Sequence, residues 1–294
     1  MMLDYTHLST LAAVHRRGSF ELAAAALAIT PSAVSQRIKA LEDRMGSVLI
    51  RRGHPCSATD PGLRLIRHLE DVALMEAALA QDLPMATGAL PTLRLAVNAD
   101  SLATWVLPAL AQIPDMLFDL VIDDQDHSQD WLRRGEVAAA ITGHPGPLQG
   151  CDTVPLGALR YRATASPAFV ARWMPEGATR AVLARAPAIT YSDKDRLQRD
   201  WITAHTGARI MPPTHRLASS HGFVEAARLG LGWGMNPEPL VAGLLATGEL
   251  VELLPDSPLD VALYWQVTRL SGKALAPLTA AIRAAAGKVL IPPV

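Results

Sequence analysis

The segment Thr30-Pro31-Ser32-Ala33-Val34-Ser35-Gln36-Arg37-Ile38-Lys39-Ala40-Leu41-Glu42 sorts its residue types by helical spacing. Val34, Ile38, Leu41 and Met45 recur at four, three and four and form an apolar stripe. Ser32, Ser35, Gln36 and Lys39 fall on another face, with Arg37 at its margin and no acid before Glu42. Hydroxyls and amides exchange hydrogen bonds with base edges, and Lys and Arg meet phosphates or guanine, so this face has the chemistry of a recognition helix in a major groove. An ordinary amphipathic surface helix shares the period, and the neighbouring residues argue against it. The preceding Leu22 to Ala28 is small and Ala-rich, and Ala28-Ile29-Thr30 is as short as a helix-turn-helix connection must be. Leu49-Ile50 then leads into Arg51 and Arg52 at an expected turn, where a wing would reach backbone or minor groove. Residues 1–68 carry nine Lys and Arg against five Asp and Glu, a local excess inside a chain whose totals of 27 and 28 leave a net charge of -1.

A second group of residues has the chemistry of a small-molecule site. In parallel sheets, ligands sit beyond the carboxyl ends of strands, where amides at a following helix start attract carboxylates. Asn98-Ala99-Asp100-Ser101 holds that place after the expected strand Leu93 to Val97, with Ser101 as the expected N-cap and ligand hydroxyl; a cap without a ligand fits the same residues. From Leu95 to Leu132 there is no Lys or Arg but seven acids, of which Asp123 and Asp124 directly follow the expected strand Leu120 to Ile122. Carboxylates at a cleft pair with an ammonium or, by a two-pronged fork, with a guanidinium. Asp115, Asp119 and Asp130 read as solvated loop charges. An anion-accepting helix start beside a cation-accepting strand end describes a site for a basic amino acid.

The elements that would position these groups fall into three zones. Short helices fill Leu3 to Met45: Gly18 ends the first, Ser19 caps the second, and Thr30-Pro31 starts the third, which stops at Gly46. Thr59-Asp60-Pro61 opens a longer helix through Leu65, Leu69, Val72 and Leu79 to a break at Pro84 and Gly88. Its spacing reads as a short heptad seam for a dimer, or as a helix packed on its own domain. From Pro91 onward, strand-like and helix-like segments alternate, with further strands expected at Val137 to Thr142, Pro187 to Tyr191, Arg216 to Ser219, Leu250 to Leu253 and Val261 to Val267. That alternation predicts an α/β parallel sheet with room for two lobes.

These residues closely resemble the winged helix-turn-helix of LysR-type transcriptional regulators. The resemblance rests on Gly18-Ser19-Phe20 with Ala23-Ala24, Thr30, Ser32 to Ile38, Leu41-Glu42, Leu49, Arg51, Thr59 and Gly62. Pro31 stands where the family often has Gln, which removes one base contact. The resemblance extends over the whole chain. It implies an α/β protein overall, with an N-terminal winged helix-turn-helix at 1–60, a linker and dimerisation helix at 61–87, and a two-lobed effector-binding domain at 88–294 that looks like a periplasmic binding protein. DNA contacts would come from Thr30, Pro31, Ser32, Ser35, Gln36, Arg37, Lys39, Arg51 and Arg52.

More narrowly, Asn98 to Trp105, Leu132 to Val137, Leu156 to Tyr161 and Tyr264-Trp265 are similar to the members that control basic amino-acid exporters in response to lysine and arginine. That resemblance implies Ser101, Asp124, Thr142, Ser219 and Ser220 as ligand residues, with Ala99, Asp100 and Tyr161 from the same motifs and Tyr191 and Asp193 after the strand at Ala188 to Thr190. The implied partners are double-stranded DNA, a lysine or arginine effector, further copies of the chain as dimer or tetramer, and RNA polymerase.

Other signals carry less. Gly230-Leu231-Gly232-Trp233-Gly234 does not fit a dinucleotide or phosphate loop and reads as a helix end feeding a buried strand. Ser220-His221-Gly222 lacks a nucleophile elbow, and the scattered tryptophans read as core. His54 and Cys56 are too few for a metal, so no metal, cofactor or catalysis is expected. Two cysteines fit a reducing compartment, and the opening Met1 to His7 lacks the pattern of a signal peptide, which predicts a cytoplasmic protein with no membrane partner. The rival readings are a solute-binding module and a regulator with an acidic or aromatic effector, for which Arg160, Arg162 or Arg196 would have to supply the cation.

Overall fold

The computed structural model describes residues 3–82 and 90–292, so the expected break at Pro84 and Gly88 lies outside the described residues. Local capping builds the N-terminal unit. Helix α1 (Tyr5–Arg17) is capped by Asp4 and closed by Gly18 at φ 67°, whose amide donates to Val14 O. A Cβ on Gly18 would meet Pro55 Cβ at 2.7 Å, so both the backbone angle and the close approach require glycine. Ser19 caps α2 (Phe20–Ala26), and Thr30 Oγ1 accepts from Ala33 N at 3.1 Å to start α3 (Pro31–Met45), which ends at Gly46. Leu8, Leu11, Val14, Ala23, Ala24, Val34, Ile38 and Leu41 bury together as one core. Each large member contributes about 1.5–3 kcal/mol by leaving water. Strands β1 (Ile50–Arg51) and β2 (Ser57–Ala58) pair antiparallel beside it.

Thr59 Oγ1 accepts from Gly62 N at 3.3 Å and opens α4 (Asp60–Asp82). The apolar residues of α4 divide between partners. Ile66 belongs to the N-terminal core, with Leu65 and Leu69 packed against it, whereas Leu74 joins the core of the C-terminal region. Met75 and Leu79 stay exposed, at 41% and 53%. Leu65 and Leu69 of the expected seam therefore pack on their own chain, while Leu79 stays exposed.

The C-terminal region begins with β3 (Thr92–Val97) and α5 (Ala99–Ser101), which runs through a π-helical turn (Leu102–Val106) into α6 (Leu107–Leu110). Then come β4 (Leu117–Ile122), α7 (Ser128–Arg133), β5 (Ala139–Thr142) and β6 (Cys151–Ala165). Next are α8 (Pro167–Trp173), α9 (Arg180–Leu183), β7 (Ala188–Thr190), α10 (Leu197–Thr206) and β8 (Thr214–Arg216). The chain continues with α11 (Ser220–Arg228), β9 (Gly234–Pro237), α12 (Glu238–Thr247) and β10 (Val251–Glu252), and closes with β11 (Leu259–Thr268), α13 (Arg269–Gly272) and α14 (Ala276–Val289).

The expected parallel sheet is in fact mixed. In the seven-stranded sheet, ordered β10-β6-β11-β5-β3-β4 with β9 on β6, β3 pairs parallel with β4 and β5 and every other pairing is antiparallel, while β7 and β8 pair parallel in a separate two-stranded sheet. The cause is the long β6–β11 ladder. One end extends a first lobe through β5, and the other extends a second lobe through β9 and β10. β6 escaped sequence reading because Pro155 and Gly157 interrupt its pattern. Gly157, at φ 122°, lets the Ile291 carbonyl come so close that a side chain there would collide with it. The expected strand at Arg216 to Ser219 forms earlier, at β8, because Ser219 is taken as the cap of α11.

Candidate functional site

The N-terminal unit presents one polar face. Thr30, Pro31, Ser32, Ser35, Gln36 and Lys39 are exposed along α3, opposite the buried Val34, Ile38 and Leu41. Arg37 is half-buried and reaches Thr10 Oγ1 of α1 at 3.4 Å, so it ties the two helices together rather than standing out with the others. Arg51 and Arg52 are exposed at the β1 end, with the Arg52 guanidinium 5.4 Å from the Phe20 ring centroid and Arg51 3.9 Å from Asp60. Helix and wing together form a surface of amide, hydroxyl and cationic groups suited to a groove and its phosphates.

Between the two lobes of the C-terminal region lies a cavity of about 240 Å³. From the first lobe, Asn98, Ala99 and Asp100 line it at the end of β3, and Asp123 and Asp124 at the end of β4. From the second lobe come Tyr191, Lys194 and Asp195 after β7, together with Ser220 at the start of α11. Four carboxylates therefore meet one side-chain amine.

Their environments differ. Burial raises the Asp100 carboxyl; the Tyr161 and Ser220 hydroxyls oppose that rise, and the charges of Asp195 and Asp124 reinforce it. Tyr161 OH donates to Asp100 Oδ2 at 2.8 Å, and burial beside that carboxylate pushes the phenol well above its usual value. Asp124 is raised by burial despite accepting from Asp126 N at 2.9 Å. Asp195 is raised by burial too, although its carboxylate accepts from Tyr191 N at 2.8 Å and Leu197 N at 3.0 Å. Burial also pushes Asp123 up, but the Lys194 ammonium at 2.7 Å, the Trp131 indole at 2.9 Å and the Asp124 amide at 2.8 Å outweigh it, leaving the carboxyl below its usual value. Among the described residues, Asp100 and Asp195 have no ion-pair partner and Asp124 has only the His127 ring at 3.8 Å, so the cavity holds carboxylates in a partly desolvated space, an arrangement that attracts cations.

Of the residues expected at the ligand, Ala99, Asp100, Asp124, Tyr191 and Ser220 line this cavity. Ser101 does not, and it is not the N-cap: the helix starts at Ala99 with Asn98 in the cap position, leaving Ser101 fully buried in the first turn with its hydroxyl unpartnered. Thr142 is buried at the end of β5, accepting from His144 N at 3.1 Å. Tyr161 stands behind Asp100. Ser219 is spent capping α11 through Gly222 N at 3.1 Å, and Asp193 faces away to pair with Arg216 at 2.7 Å. Lys194 and Asp195 went unrecognised because the turn that aims them has no local signature; its one hint is a run of polar residues after a strand end. The cations reserved for an acidic effector are engaged elsewhere: Arg160 with Asp260, Arg162 with Glu238 and Glu252, and Arg196 with Asp200. Among the described residues no cluster fits a metal ion, and no helix is long and apolar enough to cross a membrane.

A winged helix-turn-helix joined by a long helix to a two-lobed domain with an inter-lobe cavity defines a ligand-responsive DNA-binding protein. Two family models match it: the lysR-family bacterial regulatory helix-turn-helix protein over residues 5–63, and the LysR substrate binding domain over residues 86–287. The chain belongs to the LysR family of transcriptional regulators. It is 44% identical to the HTH-type transcriptional regulator LysG of Mycobacterium tuberculosis, over 97% of this chain and 94% of that protein. The crystal structure of ArgP from M. tuberculosis superposes with a TM-score of 0.83 at 42% identity, covering 99% of this chain and 100% of that one. Full-length LysG from Corynebacterium glutamicum, with bound effector arginine, gives 0.71 at 36% identity, covering 99% and 100%.

Proposed function

We propose that this regulator responds to a basic amino acid, lysine or arginine, held in the inter-lobe cavity, and that it governs export of that amino acid or related metabolism. The observation that carries the reading is the lining of the cavity, in which Asp100, Asp123, Asp124 and Asp195 face one amine, Lys194. A ligand with two cationic groups and one carboxylate matches that balance, whereas an acidic ligand would meet three uncompensated carboxylates. The arginine-bound state of the C. glutamicum relative points the same way. DNA is read by Ser32, Ser35, Gln36 and Lys39 from α3 and by Arg51 and Arg52 from the wing, within a division of 1–60, 61–87 and 88–294. Met75 and Leu79, exposed on α4, are suited to a second copy of the chain in a dimer or tetramer, and RNA polymerase is the further partner when the regulator activates. Ligand acts by preferring one arrangement of the lobes, so its differential affinity sets the strength of the response.

Calorimetric titration of the full-length protein with L-lysine, L-arginine, L-histidine and L-glutamate tests the assignment. Saturable binding of basic amino acids alone supports it. Binding of glutamate, or of none of them, overturns the effector while leaving the family intact.

A further inference from the structure

The Lys194–Asp123 ion pair joins the two lobes across the cavity. Asp123 follows β4 in the first lobe, and Lys194 lies in the loop after β7 in the second, with Nζ 2.7 Å from Asp123 Oδ1. The two partners are held unequally. Asp123 is fixed by the Trp131 indole on Oδ2 and the Asp124 amide on Oδ1. Among the described residues Lys194 Nζ has this one partner, and its side chain is 48% exposed on a flexible four-carbon stem. An ion pair that exposed contributes little to stability, so the ammonium can move at small cost. Nearby, Asn98 is only 3% exposed, and on the cavity lining its Oδ1 has no protein partner, which leaves a buried acceptor free for a donor that enters the cavity.

A basic amino acid brings two cationic groups and one carboxylate. Asp100, Asp124 and Asp195 can receive a side-chain cation, but they repel the carboxylate, and Lys194 is the one side-chain cation on the cavity lining. The corresponding diamine, which lacks the carboxylate, fits the acids equally well and has nothing to offer Lys194. We propose that Lys194 makes this cavity select amino acids over their decarboxylated amines: its ammonium leaves Asp123 for the ligand carboxylate, and Asp123 receives the ligand α-ammonium in its place. One ion pair within the protein becomes two with the ligand, one from each lobe, so the exchange also holds the lobes together around it. The proposal rests on the basic-amino-acid reading of the cavity.

The test is calorimetry on the full-length protein and its Lys194→Met and Lys194→Arg variants, titrated with L-lysine, cadaverine, L-arginine and agmatine. The wild type binds each amino acid at least about tenfold more tightly than its amine, the scale of one charge-assisted contact in a half-buried site. Lys194→Met reduces that ratio about tenfold, mainly by weakening the amino acids, and Lys194→Arg restores most of it. Amino acids bound by Lys194→Met with the wild-type ratio would show that the carboxylate is held elsewhere, which overturns this proposal alone. Tighter amino-acid binding by Lys194→Met would make Lys194 a competitor of the ligand and overturn the proposal equally. Wild-type protein that binds neither amino acid overturns both the proposal and the effector assignment.

Discussion

The contact between α4 and the C-terminal region rests on a buried ion pair, and breaking one half of it should be more damaging than removing both. Arg67 Nε donates to Asp71 Oδ1 at 3.0 Å, with side-chain exposures of 10% and 7%. The same guanidinium donates to the Val137 carbonyl and, at 3.0 Å, to Thr268 Oγ1, while Ser271 Oγ donates to Asp71 Oδ1 at 2.6 Å. Asp71→Asn keeps the shape but leaves a buried guanidinium without its counter-charge and weakens the acceptor for Ser271. Loss of one partner from such a pair costs about 3–5 kcal/mol, against about 0–1 kcal/mol for an exposed pair. The double variant Arg67→Met with Asp71→Leu removes both charges but strips the Val137 carbonyl and the Thr268 and Ser271 hydroxyls of these partners, so it should recover part of the loss rather than all of it. All six tryptophans lie between Trp105 and Trp265, so fluorescence-monitored denaturation by guanidinium chloride reports on the C-terminal region. Asp71→Asn should therefore lower the transition midpoint strongly, and the double variant should recover it in part. A single variant that costs under about 1 kcal/mol, or a double variant no better than the single one, would refute the view that the pair is dry and mutually dependent.

Other consequences are directly measurable. Lys39→Ala and Arg51→Ala should weaken operator binding and flatten its salt dependence, each by about one released counterion, without changing amino-acid affinity in calorimetry. Asp124→Asn should weaken arginine binding about tenfold while leaving the melting temperature at or slightly above wild type, because its carboxylate is held charged against burial. Burial raises Asp100, Asp124 and Asp195 above the usual 3.8, so their stabilising protonation in the unliganded protein is complete below 3.8 and is lost as pH rises through the raised values. A cationic ligand requires the ionised forms, so its affinity should rise with pH across the same interval, as titrations at stepped pH would show. Gly18→Ala should cost about 1–3 kcal/mol in thermal unfolding, from the left-handed backbone together with the Pro55 contact.

What sequence reading reached, and what it missed, follows from the range of the interactions involved. The helix boundaries at Gly18, Ser19, Thr30-Pro31 and Gly46 were legible because a cap is decided within about four residues. The polar face of α3 was legible because helical period alone assigns it. The acid-rich stretch that supplies Asp100, Asp123 and Asp124 was visible as composition. Arg37, read at the margin of that face, is drawn inward by Thr10, a partner 27 residues away that local spacing could not show. Ser101 was misjudged because a cap one turn earlier, at Asn98, competes for the same local pattern.

The amino-acid order by itself determined the DNA-facing helix, its caps and the negative bias of the stretch Leu95 to Leu132, since short-range spacing and side-chain type suffice for each. Tertiary structure alone decided which acids face the cavity, that Lys194 would meet Asp123 from 71 residues away, and that Arg67 would join α4 to Val137 and Thr268 at separations of 70 and 201. The Lys194–Asp123 pairing arises when the β6–β11 ladder brings the two lobes together, and the Arg67 pairings when α4 packs on the C-terminal region. Burial and long-range proximity are properties of the closed fold, which local spacing does not carry.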